Sequence, residues 1–365
     1  MVTAIRSHFH SVAEAVLVSF GALAVTLIIF SAFVWLHGAN PLEVLYALYQ
    51  GGFATRTSLE NTLTQAAPLM LTALCTAIPA RAGLLVIGGE GALVIGALAT
   101  VLIGVLLEGW PFLPGVIVMS LAGAVAGGLW IAAAGGLRQY RGVNETISTL
   151  LLNYIAIAVM NHLIDGPIRD FSRTLKTSSW SIPDSLRVGS LPGLDVHWGL
   201  VVGAVCCLVL WFVMRKTTFG FAVDVLGGNA RAAQLAGFRI NRLVLACCFI
   251  GGAGAGLAGA FEIMAVHGFA NESLVVRLGY IGILVAFLAR HNPLAIIGVA
   301  ILLGAITASG GLLQRRFGLP DATTLVLQGI LFMSVLASNA AYGRMSFLEM
   351  IRPAAVPEPV KSKEA

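Results

Sequence analysis

Apolar residues in this chain gather into long runs, not into the alternating or three-and-four spaced patterns of elements buried on one side. The first, Ala15–Leu36, is 22 residues long, and as a helix it covers about 30 Å of hydrocarbon. It exceeds the core of a typical signal peptide and no clear small-residue cleavage site follows, so it predicts an uncleaved anchor. Further runs at 60–80, 84–107, 112–134, 143–164, 198–214, 243–266, 276–290, 293–311 and 321–340 bring the expected spans to about ten. Only a tight turn around Arg290, His291 and Asn292 separates 276–290 from 293–311. A re-entrant hairpin there would reverse the last span.

The polar interruptions are equally distinct. Phe219 to Arg242, FGFAVDVLGGNARAAQLAGFRINR, is a polar and basic island between two apolar runs, the kind of loop on which a membrane protein meets a partner. Asn40 to Ser58 is amphipathic enough to rest on a membrane surface. Asp165 to His197, with Pro167, Pro183 and Pro192, predicts an ordered external loop that covers a pore mouth, docks a partner or simply connects two spans. After Ile351 the run RPAAVPEPVKSKEA predicts a disordered tail. The expected organisation is one transmembrane domain over 1–351 and a flexible tail over 352–365.

Composition narrows the class. With 58% hydrophobic and 11% charged residues over 365 positions and a mean hydropathy of +0.90, the chain has more apolar surface than one globular core buries. Its 42 glycines suit helices packed closely in lipid. The formal charge is +5, yet the Lys and Arg fall at run ends and form no aromatic-interleaved basic face, which argues against nucleic acid. With the N-terminus inside, fourteen Lys and Arg fall in cytoplasmic loops, Arg81, Arg138, Arg215, Arg231 and Arg290 among them. Eight fall outside, including Arg56, Arg187 and Arg277, to complete the chain's 22. That asymmetry predicts both termini in the cytoplasm and places the island at 219–242 there. The five cysteines, Cys75, Cys206, Cys207, Cys247 and Cys248, lie in apolar runs without metal or redox spacing and read as small buried hydrophobes.

The chain lacks the common catalytic motifs. HExxH and GxSxG are absent, and so is GxxxxGK[ST], so the chain carries no Walker-type ATP site. Gly254, Gly256 and Gly259 spell GxGxxG, but mid-run and without the strand that a dinucleotide site requires. Gly252, Gly256 and Gly259, with Gly251 and Ala255, instead make small faces for helix packing. No catalytic residue, metal ligand or cofactor is assigned to this chain.

Glu90, in Gly88-Gly89-Glu90-Gly91, stands inside an apolar run. At a helix centre a carboxylate costs about 2.5 to 3.5 kcal/mol on insertion scales, so it must face protein or water and have a partner. The glycines around it suggest a broken helix. Two roles are open, lining a translocation path or bracing the break. Asn153 is an amide within a span, suited to interhelical hydrogen bonding or the same path. Glu145 and Asn144 open the next span, where an acid suits a helix N-terminus. Glu262 and His267 near a span end are expected to snorkel to water.

The fold class that follows is all-α, a polytopic integral membrane protein with inverted repeats and a broken or re-entrant helix. An ion-coupled secondary transporter also fits that outline, although intramembrane charges beyond Glu90 and Glu262 are few. An intramembrane enzyme lacks a nucleophile and base at usable spacing.

Four blocks carry a resemblance: ARAGLLVIGGEGALVIGALA at 80–99, GVNETISTLLLNYIA at 142–156, GGNARAAQLAGFRINR at 227–242 and ARHNPLAIIGVAILLGA at 289–305. They resemble, in family order, the inner-membrane permeases of ATP-binding cassette (ABC) importers for nucleosides and simple sugars, within the larger family of ribose and branched-chain amino acid permeases. One position departs, since Val86 precedes Ile87-Gly88 where relatives commonly carry Asn.

The resemblance implies a multi-pass permease of the bacterial inner membrane that moves a small polar solute by alternating access. It implies a second permease subunit, homologous or identical, a cytoplasmic ATPase that binds ATP and Mg, and an extracytoplasmic solute-binding protein, besides the membrane lipid itself. On the same basis 219–242 is the ATPase-coupling loop. A short helix around Ala230 to Ala236 would carry Arg231 and Ala233, Gly227 and Gly228 would supply the turn into it, Asn229 would cap it and Gly237 would end it.

Overall fold

The structure, a computed structural model, describes residues 21–172, 177–275, 277–320 and 322–341. Every regular element among them is helical, apart from two isolated bridges, Arg169 with Ser179 and Ser190 with His197. The all-α class is as expected. The tail at 352–365 lies outside the described residues.

The chain divides into two compact units. The described residues of Met1–Leu42 and Leu325–Ala365 make one. Within it α1, Gly21–Leu36, buries Ala22, Thr26, Phe30 and Val34, a stripe at every fourth residue. Its hydroxyl is accounted for, because Thr26 Oγ1 donates to the Ala22 carbonyl at 2.8 Å.

The larger unit, Glu43–Thr324, holds α3 (Arg56–Arg81), α4 (Gly89–Leu106), α5 (Phe112–Arg141), α6 (Glu145–Asp165), α7 (Gly199–Lys216), α8 (Thr218–Gly228), α9 (Ala230–Leu235), α10 (Ile240–Phe261), α11 (Leu278–Leu288) and α12 (Pro293–Phe317). At its two ends stand most of α2 (Pro41–Tyr49) and the first turn of α13 (Ala322–Ala341). Polar side chains fix several starts: Thr55 Oγ1 accepts from Ser58 N–H, Asn144 Oδ1 from Thr146 and Ile147, and Asn292 Oδ1 from Leu294. α10 packs against α3, α4 and α5 at the centre and α4 against α5, with α7, α11 and α12 against α3 and α6 against α4 and α5.

α10 is the packing hub. A Cβ at Gly252 would overlap the Gly127 carbonyl oxygen, one at Gly256 the Gly123 carbonyl oxygen, and one at Gly259 the Leu93 carbonyl oxygen. The GxGxxG string is therefore helical and faces other backbones.

Among the described residues seven helices are long and apolar enough to cross a membrane: α3, α4, α5, α6, α7, α10 with its π-helical extension to His267, and α12. Two expected spans are shorter than their apolar runs. The run 84–107 becomes helical only at Gly89, and 276–290 yields only α11, 11 residues long. At 1.5 Å per residue α11 reaches about 17 Å, roughly half of a bilayer core. Arg277 stops it on the N-terminal side, with a left-handed φ of 64° that no helix continues through.

Glu262 corrects another expectation. It does not snorkel but lies buried in the π-helical stretch Glu262–His267, with Oε2 3.7 Å from His267 Nε2. The loop 165–197 is tied down in its described parts, since Ser179, Ile182 and Val188 donate backbone N–H groups to the carbonyls of Ala270, Gly268 and Met264, each at 2.9 Å.

Candidate functional site

The polar island folds as two short helices following α7. Asn229, extended at φ −158° and ψ 107°, separates them. Its Oδ1 accepts from the N–H of Arg231 at 2.9 Å and of Ala232 at 3.1 Å, which satisfies two donors that the start of α9 leaves open. The helix ends where Phe238 N–H reaches the Ala233 carbonyl at 3.1 Å and Gly237 takes a φ of 84°, a conformation that a Cβ disfavours. Ala233 is buried, Arg231 is exposed and Leu235 is 86% exposed. α9 thus offers a large apolar side chain at its outer surface.

Gly227 and Gly228 do not form the turn into α9. They continue α8 to its last residue, and neither takes a positive φ. The reason for a glycine at 227 is close approach, because a Cβ there would overlap the Arg81 carbonyl oxygen, whereas a Cβ at Gly228 meets nothing within 4 Å. The same corner carries a bidentate ion pair that the sequence reading missed. Arg81 Nε lies 3.0 Å from Asp224 Oδ1, and Nη2 lies 2.7 Å from Oδ2. The planar fork of Arg suits this geometry, so α8 is held by two contacts to the last residue of α3.

From Arg81 the chain enters a polar seam. Residues 84–87 are not helical, and side chains supply the hydrogen bonds that a helix would have given them. Leu85 N–H donates to Glu145 Oε1 at 3.3 Å and Ile87 N–H to Thr149 Oγ1 at 3.1 Å. Thr146 Oγ1 donates to the Leu85 carbonyl and Thr76 Oγ1 to the Val86 carbonyl, each at 3.0 Å. Asn153 completes the ladder: its Oδ1 accepts from Gly91 N–H at 2.7 Å and its Nδ2 donates to the Ile87 carbonyl at 3.0 Å. Glu145, Thr149 and Asn153 share one face of α6 by their four-residue spacing. Glu145 also pairs with Arg138 at the end of α5. Val86, at the departing position, has its side chain fully buried.

Glu90 lies at the start of α4 and is fully buried. Its Oε1 accepts from Arg277 N–H at 3.0 Å and its Oε2 from Gly279 N–H at 2.6 Å. A side chain 187 positions away in sequence thereby caps α11, and it does so where Arg277 holds a strained left-handed backbone. Asn153 Nδ2 lies 3.4 Å from Tyr280 Oη on the same helix. Glu90 and Asn153 are thus brought into one network with α11. Among the described residues no group of three or more His, Cys, Asp or Glu is arranged to hold a metal ion.

Residues 58–336 match the family model described as the branched-chain amino acid transport system / permease component. The chain belongs to this permease family. Over 313 residues the permease is 30% identical to the glucose ABC transporter permease protein TsgB13 of Haloferax volcanii, a match covering 82% of this chain and 81% of that one. It is 31% identical over 302 residues to the guanosine ABC transporter permease protein NupP of Bacillus subtilis, covering 80% and 85%. It is 26% identical over 305 residues to the nucleoside ABC transporter permease protein NupB of Lactococcus lactis, covering 81% and 84%. No solved structure matches it. The permease is therefore a multi-pass subunit of an ABC importer, and the ion-coupled carrier is set aside.

Proposed function

We propose that this permease forms the translocation path for a nucleoside or simple sugar in a bacterial inner membrane, and that α9 is the helix through which a separate ATPase drives it. The observation that carries the reading is α9 itself. It is capped at both ends, 6 residues long, and exposes Leu235, while α8 beside it is fixed to α3 through Asp224 and Gly227. A rigid helix with an apolar knob suits insertion into a groove, and its fixed base passes displacement to the membrane helices. The absence of a Walker motif agrees with ATP and Mg being held by the partner. The solute class rests on relatives named for guanosine, nucleosides and glucose.

On this reading two permeases, homologous or identical, enclose the path, with both termini cytoplasmic and a solute-binding protein docking on the opposite face. Loaded binding protein and ATP must each prefer a different permease conformation, because a ligand shifts an equilibrium only by its differential affinity. The chain from Arg81 through residues 84–87 to Glu90 then links α8 and α9 to α11. Glu90 and Asn153 act as braces within that link rather than as contacts for the solute.

The test is uptake by the importer reconstituted with its ATPase and binding protein. Leu235→Asp is expected to abolish ATP-driven uptake of radiolabelled nucleoside or sugar while the permease inserts normally. Uptake at the wild-type rate in that variant would refute the role given to α9.

A further inference from the structure

Beside the proposed ATPase surface, Arg81, Trp211, Arg215, Arg290, His291 and Asn292 line a cavity of about 330 Å³. Three guanidinium groups converge there. Arg81 is engaged by Asp224 on one edge, and the Arg215 Cζ stands 5.9 Å from the centre of the Trp211 ring. Arg290 and His291 reach the cavity from the turn between α11 and α12, where both hold left-handed backbones with φ of 50° and 56°. Burial holds the His291 imidazole below its ordinary range, so at neutral pH the positive charge here is that of the arginines.

The cavity continues an apolar stripe. Val201, Val205, Leu208 and Phe212 recur at four- and three-residue spacing along α7, are 38%, 50%, 48% and 56% exposed, and Arg215 follows in the same register. α7 is also the least enclosed of the seven long apolar helices, buried over 22% of its apolar length against 78% for α3. An apolar track one helix long, ending in an interfacial Trp and clustered guanidiniums, matches an acyl chain joined to a phosphate headgroup.

We propose that this cavity binds the phosphate of an anionic phospholipid, with one acyl chain lying along α7. The assignment to the cytoplasmic leaflet rests on the orientation given under the proposed function, but binding itself does not. Guanidiniums hold phosphate oxygens through paired N–H donors, and Trp211 sets the depth of the headgroup. Because Arg81 joins α3 to α8, a lipid held here would touch the base of the proposed coupling surface.

Native mass spectrometry of the full-length permease in detergent, without its partners, tests this separately from transport. The probes are dioleoyl phosphatidylglycerol, dioleoyl phosphatidylcholine and inorganic phosphate. Wild type is expected to retain phosphatidylglycerol in preference to phosphatidylcholine. Removing one charge near the headgroup should weaken retention about five-fold and two about thirty-fold, so Arg215→Gln and the double change Arg215→Gln with Arg290→Gln should show that order. Arg215→Lys should keep most of it. Circular dichroism checks folding, and if the double variant does not fold, Arg215→Gln alone decides. Equal retention of the two lipids, or unchanged phosphatidylglycerol binding in the folded Gln variants, would overturn the proposal. So would release of phosphatidylglycerol by millimolar phosphate, which would mark a soluble anion as the ligand. Cross-linking of Val209→Cys, exposed on α7 outside the cavity, to a second permease, with no lipid retained by wild type, would mark a protein interface instead.

Discussion

Replacing Glu90 is the sharpest perturbation of the seam. Its two carboxylate oxygens accept from Arg277 and Gly279 N–H at 3.0 and 2.6 Å, and the side chain is fully buried. A hydrogen bond to a charged group contributes about 1.5 to 3 kcal/mol net, and an orphaned buried donor costs a similar amount. Glu90→Ala strands both donors and should destabilise the permease by about 3 to 6 kcal/mol. Glu90→Gln keeps one acceptor and turns an amide N–H toward the other donor, so its loss should be about 1.5 to 3 kcal/mol. Thermal unfolding in detergent, followed by size-exclusion chromatography, should rank wild type above Gln and Gln above Ala. Amide hydrogen exchange should localise the change to 277–288 and 84–91, with α11 opening at least about 100-fold more often in Glu90→Ala. An Ala variant that unfolds at the wild-type temperature with unchanged exchange in α11 would refute the bracing role.

Gly227→Ala pushes a Cβ into the Arg81 carbonyl oxygen and should cost about 1 to 3 kcal/mol in the same unfolding assay. Gly228→Ala, with open space around it, should be close to neutral. Asn229→Ala removes the cap of α9 and about 1 kcal/mol of local stability; the expected readout is faster exchange in 230–236 and lower coupled uptake with normal insertion. His197, outside the spanning helices, accepts from Gly199 N–H through Nδ1 at 3.1 Å, which only the neutral ring allows, and burial lowers its pKa from 6.5. Its contribution should be complete above that value and be lost as pH falls below it toward the folded pKa, because the unfolded chain takes up the proton first. Limited proteolysis of 165–197 should therefore quicken between pH 7.5 and 5, and a His197→Phe variant should flatten that dependence.

What could be read from the sequence was chemically local. Asn229 as a cap and Gly237 as a terminator are implied by the family resemblance and suit their residue types, and both hold those positions at the ends of α9. The lengths of α4 and α11 do not follow from hydropathy, because the runs 84–107 and 276–290 are apolar throughout most of their length. Their helices are shortened by hydrogen bonds from residues far along the chain. Glu145, Thr149 and Asn153 take over the backbone of 85–91 from about sixty positions away, and Glu90 caps α11 from 187. The family resemblance casts Gly227 as the turn into α9. Its actual constraint, the Arg81 carbonyl, lies on another helix. Asp224 was inside the island from the start, but only the fold brings it to Arg81.

Site-specific cross-linking decides whether α9 meets an ATPase. A photoreactive residue at position 235 in the assembled importer is predicted to give one adduct, of the permease joined to its ATPase subunit. The same probe at Leu106, exposed at the other end of α4, should not produce it. No ATPase adduct from position 235 in an importer that still transports, or equal yield from both positions, would show that the ATPase docks elsewhere.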